Sequence, residues 1–156
     1  MVSFFGHREV DNYTEVEKKL EKVVRRFCAN TDYVEFLVGR NGDFDQMVAS
    51  TVRRVKYGSG YSNCSLVLVL PYMAADVRRN EPMYLQYYDE IEVCSESERA
   101  HFKQAISVRN KEMVKRSDIV ICYVNKEKGG AAGAVRFAQS EGKKIINLAK
   151  EQPAED

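Results

Sequence analysis

Residues 36–45 read FLVGRNGDFD, and they decide the fold because an apolar run ends there in a glycine turn that opens a helix. The apolar run over 33–38 is typical of a buried strand in a parallel sheet. After the turn, apolar residues recur at the spacing of one helix face, namely at Phe44, Met47, Val48, Thr51, Val52 and Val55. The stretch therefore predicts a strand, a tight turn and a helix in direct succession.

The same succession repeats on both sides of this stretch. Strands are predicted at 2–5, 33–38, 65–70, 119–124 and 144–148, with a short one at 90–93, and helices between most of them. The least regular part is 72–98, while 98–116 predicts one long helix. Alternating strands and helices predict an α/β fold: a Rossmann-like three-layer sandwich with a mostly parallel sheet and helices on both faces.

Length and composition indicate one ordinary soluble domain. The chain has 156 residues, with 44% hydrophobic and 30% charged residues. We expect a single domain over 1–150 and a frayed tail over 151–156. The isolated cysteines (Cys28, Cys64, Cys94 and Cys122) predict neither a metal site nor disulfides. These features, with no apolar run of the roughly 20 residues that span a bilayer, predict a cytoplasmic protein without membrane contact.

Net charge bears on the choice of partner. The formal net charge is +1, so no global field favours a polyanion. On this ground a nucleic-acid partner is not expected, and any basic site must be local.

Glycine-rich turns follow three of the predicted strands, where parallel α/β sheets bind their ligands. Glycine lets the backbone approach a ligand closely, and a helix N-terminus attracts anions. With an arginine discussed next, the candidate ligand-binding residues are Gly6, His7, Arg8, Gly39, Gly42, Asp45, Arg109, Gly129, Gly130 and Gly133.

Each turn also has a simpler interpretation. Gly6 can serve only to form its turn, and the segment with Gly129, Gly130 and Gly133 can be a flexible surface loop. Asp43 and Asp45 would repel a phosphate, but they suit a ribose hydroxyl or a helix cap. The second turn is not the G-x-G-x-x-G pattern of dinucleotide sites.

Arg109 falls on an apolar helix face formed by Phe102, Ala105, Ile106 and Met113. A guanidinium there is costly unless an anion pairs with it. A ligand phosphate matches the planar geometry of the guanidinium and could be that anion. An internal carboxylate could also pair with it, or the side chain could extend to the surface and leave the charge in solvent.

The tyrosines of 72–88 could form a lid that stacks on the base of a ligand. Alternatively, they could pack at the edge of the core or in an oligomer interface. Those tyrosines are Tyr72, Tyr84, Tyr87 and Tyr88.

Several segments in order resemble a known superfamily. They are Phe4-Phe5-Gly6, the stretch 36–45, Leu68-Val69-Leu70-Pro71, residues 109–121, and Gly129, Gly130 and Gly133. Together they resemble the SLOG superfamily, which includes the Lonely Guy phosphoribohydrolases, DNA-processing protein A and small DUF1273 (YpsA-like) proteins. The resemblance implies a Rossmann-like fold, a substrate-binding role for Arg109 and a homodimer or higher homo-oligomer.

The third glycine turn departs from the phosphoribohydrolase pattern. Aligned from Gly133, the position of the catalytic glutamate holds Phe137, which cannot assist proton transfer. Enzyme activity is therefore left open, and a relocated carboxylate would have to come from Glu90, Glu92 or Asp45.

The leading hypothesis is a protein that binds a nucleotide or nucleotide-derived ligand, such as ADP-ribose or an NAD-like molecule, with no other cofactor required. The alternatives are a nucleotide N-glycosidase or ribosyltransferase, and an interaction module that has lost the pocket.

Overall fold

The computed structural model describes residues 1–150, so the expected frayed tail lies outside the described residues. The strands are β1 (Val2–Gly6), β2 (Val34–Val38), β3 (Cys64–Leu70), β4 (Glu90–Val93), β5 (Ile119–Tyr123) and β6 (Lys144–Asn147). The helices are α1 (Tyr13–Asn30), α2 (Asp43–Gly58), α3 (Ala75–Arg79), α4 (Glu81–Tyr87), α5 (Ser95–Arg99), α6 (Phe102–Arg116) and α7 (Gly130–Ser140). None of these helices is long and apolar enough to span a bilayer.

All six strands form one parallel sheet in the order β4-β3-β2-β1-β5-β6. The chain moves outward from β1 to β4 and then returns to the other side of β1 to form β5 and β6. The direction of winding therefore reverses between β1 and β5. In open α/β sheets the crevice at this reversal is the usual ligand site.

The core has two halves because side chains of a strand alternate between the faces of the sheet. Phe4 and Phe36 face α1 and α2, and they pack with the buried Leu20 and Met47 of those helices. On the opposite face, Leu37 packs with the buried residues of α6 and α7. The structure thus confirms the Rossmann-like sandwich with helices on both faces.

The single helix predicted over 98–116 is wrong. It is divided into α5 and α6 by an extended backbone at Ala100 and His101. The imidazole Nδ1 of His101 accepts the Lys103 N–H at 3.3 Å and so caps the start of α6. Ser97 anchors α5 by donating to the Pro71 carbonyl at 2.6 Å. These local bonds outweigh the helix propensity across the junction.

The predicted buried face of α6 is only partly correct. Ala105, Arg109 and Met113 are buried, but Phe102 is 70% exposed and Ile106 is 39% exposed. The face turned toward the sheet continues instead through Asn110 and Val114. Phe102 is the first residue of α6, at the exposed end of the helix.

Candidate functional site

A cavity of about 370 Å³ opens at the carboxyl ends of the strands, where the winding reverses. It brings together most of the candidate residues: Gly6, His7, Arg8, Gly39, Asp45, Arg109, Gly129 and Gly130. The lining also includes residues that the sequence analysis did not propose as ligand-binding: Phe4, Phe5, Asn41, Ile106, Asn110, Met113 and Ala131. Gly42 and Gly133 are not part of this lining.

The first two glycine turns pack against each other, and this contact explains two of their glycines. A Cβ at Gly6 would lie 2.3 Å from the Phe44 ring, and one at Gly42 would lie 2.6 Å from the Cα of Arg8. The Asp43 N–H also donates to the Arg8 carbonyl at 2.8 Å. The lack of a side chain at Gly6 and Gly42 therefore allows the two turns to pack against each other, while the backbone of Gly6 still borders the cavity.

Gly39 makes room for the charged groups of the cavity. A Cβ at Gly39 would lie 3.0 Å from Nη1 of Arg109 and 3.1 Å from Oδ2 of Asp45. The guanidinium and the carboxylate thus meet over the surface of this glycine. Asp45 also accepts the Asn41 N–H at 2.9 Å, which holds the turn in place.

Arg109 is 5% exposed and has internal hydrogen-bond partners. Its Nη1 donates to the Val69 carbonyl at 3.1 Å, and its Nε and Nη2 donate to Oδ1 of Asn110 at 3.2 and 2.9 Å. These bonds use one N–H on each nitrogen, so each terminal nitrogen retains another donor. The guanidinium is fixed by the protein and still lines the cavity.

Asn110 is the functional candidate that sequence reasoning missed. Its residue is 6% exposed, and its Oδ1 faces Arg109 because a guanidinium only donates. The amide nitrogen Nδ2 is then directed elsewhere, toward Gly130. A signal was present in the sequence, because asparagine in a helix interior is unfavourable unless its side chain has a partner.

Burial shifts the pKa values of both charged groups. It raises the pKa of the Asp45 carboxyl, against the opposing effects of the Asn41 N–H and Arg109. Burial also lowers the pKa of Arg109, which Asp45 opposes. Arginine nevertheless stays protonated in proteins, so the cavity keeps a fixed cation.

The N-terminus of α7 closes the other side of the cavity. Its N-cap is Gly129, with φ of 106°, and no side chain caps the helix. A Cβ at Gly129 would meet nothing within 4 Å. No acidic residue lies in the first turn, so the positive end of the helix dipole is not neutralised locally. By contrast, the first turn of α2 contains Asp43 and Asp45.

His7 connects the end of β1 to the loop that precedes α7. Its Nε2 accepts the Asn125 N–H at 3.2 Å, which requires a neutral ring. Burial, and then the charge of Lys126, lower the pKa of His7 below 6.5. At neutral pH this nitrogen is therefore an acceptor for the protein, not a donor to a ligand anion.

This contact predicts a loss of stability in mild acid. Between the lowered folded pKa and 6.5, the unfolded chain binds more protons at His7 than the folded chain does. The free energy of unfolding should therefore fall as the pH drops from about 7.5 to about 5.5. His7→Gln keeps an acceptor for Asn125 but does not titrate, so urea denaturation should show a smaller fall for this variant.

One outcome would contradict this prediction. Equal slopes for His7→Gln and wild type would show that His7 does not carry the effect.

The four tyrosines proposed as a lid do not line this cavity. Tyr84, Tyr87 and Tyr88 form a separate groove against α2 with Met83 and Tyr13. The Tyr84 hydroxyl donates to Asp76, which also pairs with Arg40 at 2.7 Å. Tyr84, Tyr87 and Tyr88 therefore pack along α2, whereas Tyr72 is 44% exposed and borders a small pocket beside Arg40.

Of the carboxylates considered for catalysis, only Asp45 borders the cavity. Glu92 pairs with Arg116 at 2.6 Å, outside the cavity, and Glu90 is exposed at the start of β4. Phe137 packs against the core beside α6 and lies 5.7 Å below the Lys111 ammonium.

Comparisons with known proteins find similarity of structure without recognisable similarity of sequence. No protein-family model and no curated protein sequence matches the chain. The fold is similar to DNA processing protein A from Helicobacter pylori, with a TM-score of 0.62 and 16% identity over 92% of this chain. It is also similar to DNA processing protein A from Streptococcus pneumoniae, with a TM-score of 0.61 and 15% identity over 92% of this chain. The chain spans 62% and 48% of the lengths of these two proteins.

The expectation that nucleic acid is an unlikely partner is contradicted by the structural neighbours. The Helicobacter pylori protein, which shares this fold, has a single-stranded DNA binding mode. Net charge misled because it sums over the whole surface, whereas phosphate binding depends on local cations. Arg8 and Arg109 line the cavity here although the formal net charge is only +1.

The structural neighbours test the fold that the sequence resemblance implies. DNA processing protein A is among the proteins named by that resemblance, and the six-stranded parallel sheet matches the expected architecture. The chain therefore has the Rossmann-like fold of DNA processing protein A, as its resemblance to the SLOG superfamily predicts.

Proposed function

We propose that the cavity binds the phosphate and ribose of a nucleotide. The observation that carries the proposal is Arg109, a buried cation with donors left over, which faces an uncapped helix N-terminus across an open cavity. Backbone N–H groups at a helix start, together with a guanidinium, are the donors that a phosphate requires.

Asp45 and Asn41 supply the ribose side of the proposed site. A carboxylate repels phosphate but accepts hydrogen bonds from the ribose hydroxyls. Asp45 lies on the β2 side of the cavity and the start of α7 on the β5 side, so the two parts of a nucleotide have separate partners. The hydrogen bond from the Asn41 N–H keeps this carboxylate oriented.

A second candidate is single-stranded nucleic acid, favoured by the DNA-binding mode of the Helicobacter pylori neighbour. A nucleotide within a strand presents the same phosphate and sugar as a free nucleotide. The two candidates differ in affinity, because a strand gains from contacts outside the cavity. Titrating the protein with AMP, ADP-ribose, NAD and a short oligothymidylate distinguishes them. Analysing the NAD arm for free nicotinamide also tests the alternative of an N-glycosidase.

Gly130→Ala is the variant that separates binding from folding. A Cβ at Gly130 would have only ordinary contact, 3.9 Å from Nδ2 of Asn110, so the fold should tolerate it. Because Cβ atoms tilt toward the helix N-terminus, the new methyl group should occupy the position of the phosphate. We expect affinity to fall about tenfold or more, with unfolding by urea unchanged.

Gly58→Ala is the matched control, since it adds the same methyl group in open space at the end of α2. It should leave both affinity and stability unchanged. The proposal fails if none of the ligands binds the wild type, or if Gly130→Ala binds as tightly as Gly58→Ala.

A further inference from the structure

A second cavity, of about 480 Å³, lies between α6 and α7. It shares Ile106, Asn110, Gly129 and Gly130 with the first cavity, so the two cavities adjoin. We name this second space the α6–α7 groove. Its outer part is lined by Ser107, Lys111, Gly133 and Arg136.

The amide of Asn110 points to a ligand at the junction of the two cavities. Its Oδ1 is occupied by Arg109, and its Nδ2 lies 3.9 Å from the position of a Cβ on Gly130. Within residues 1–150, no hydrogen bond from this Nδ2 is formed. Asn110 is 6% exposed and lines both cavities, so this amide nitrogen is a donor that is available to an acceptor bound there. An acceptor bound at this junction would complete its hydrogen bonding.

The charges of the groove define the kind of acceptor. Lys111 and Arg136 line it, and none of its described lining residues is acidic. Arg136 donates to the Glu127 carbonyl at 2.7 Å, and its Nη2 lies 3.8 Å from the Cβ position of Gly133. The guanidinium is thus held beside the first turn of α7. This arrangement complements an anion that has several acceptor oxygens.

From these observations we infer that the α6–α7 groove binds a second phosphate of the same ligand that occupies the first cavity. This inference rests on the proposed function. The second phosphate belongs either to a nucleoside diphosphate or to the next linkage of a single strand. Both present the same chemistry to Asn110, Lys111 and Arg136.

The test compares AMP, ADP and adenosine 3′,5′-bisphosphate at one ionic strength, by calorimetric titration. For the wild type, ADP or the bisphosphate should bind about tenfold tighter than AMP. In Lys111→Gln/Arg136→Gln this advantage should fall to about threefold or less, while the affinity for AMP is unchanged. A gain with ADP indicates a nucleoside diphosphate, and a gain with the bisphosphate indicates a strand.

Lys18→Gln/Lys22→Gln is the matched control, because it removes the same charge from the exposed face of α1. It should keep the full advantage of the second phosphate. The single variant Lys111→Gln keeps the hydrogen bond from Arg136 to the Glu127 carbonyl. It should lose part of the gain in affinity that the second phosphate provides.

Three results would overturn the inference. If AMP binds but a second phosphate adds nothing, the groove is not a subsite, and the proposed function stands. If the double variant keeps the wild-type advantage, the second phosphate binds elsewhere. If none of the three ligands binds, both proposals fail together.

Discussion

Arg109→Met is expected to reduce nucleotide affinity roughly 10- to 100-fold and to lower the free energy of unfolding by about 1–3 kcal/mol. The affinity falls because the fixed cation of the cavity is gone. The stability falls because the Val69 carbonyl and Oδ1 of Asn110 lose their donors. Calorimetric titration and urea denaturation measure the two effects separately.

The double variant Arg109→Met/Asp45→Asn distinguishes binding from folding. Burial already raises the pKa of Asp45, and without Arg109 its carboxylate would lose the positive charge that opposes this cost. Removing this charge should restore part of the lost stability, whereas affinity should stay low. Wild-type affinity in Arg109→Met would exclude Arg109 from the site.

Gly6→Ala is expected to destabilise the fold by about 1–3 kcal/mol. Its Cβ would lie 2.3 Å from ring atoms of Phe44, a fully buried side chain in the first turn of α2. Relief requires the two glycine turns to separate, and those turns form one wall of the cavity. The midpoint of urea denaturation should therefore fall.

Gly58→Ala is again the control, because a Cβ there meets nothing within 4 Å. Its denaturation midpoint should match that of the wild type. If Gly6→Ala were equally stable, the close contact between the turns would not explain this glycine.

The layers of the fold were predictable because buried parallel strands have a distinctive composition. The apolar runs at 33–38 and 65–70 become β2 and β3 with small changes at their ends. The weak strand at 90–93 is also present, paired in parallel with β3. The strand order was not predictable in this way, since it depends on contacts between distant segments.

Local capping explains the largest error in the fold. The periodicity over 98–116 favours one helix, but the His101 side chain starts a new helix at Phe102. Periodicity alone cannot detect such a break, because the apolar face that supports the predicted helix begins only at Phe102. The shift of the buried face toward Asn110 follows from where α6 meets the sheet.

The candidate site was predictable to the extent that parallel strands end at one edge. Gly6, Gly39 and Gly129 meet there as expected. The reasons for the glycines were not predictable, because Gly6 and Gly42 accommodate Phe44 and Arg8 rather than a ligand. Asn110 was missed because its role depends on the orientation of Arg109, which only the folded chain defines.

The most direct test of the central claim is an amide NMR titration of the wild type with AMP. The account predicts saturable shifts at the backbone amides of Gly130 and Ala131 and at the side-chain Nε of Arg109, since these groups line the proposed phosphate position. The amide signals of Cys28 and Cys64, which lie at the opposite edge of the sheet where the strands begin, should not shift. Saturable shifts confined to that opposite edge, or no shifts at Gly130, Ala131 and Arg109, would contradict the claim.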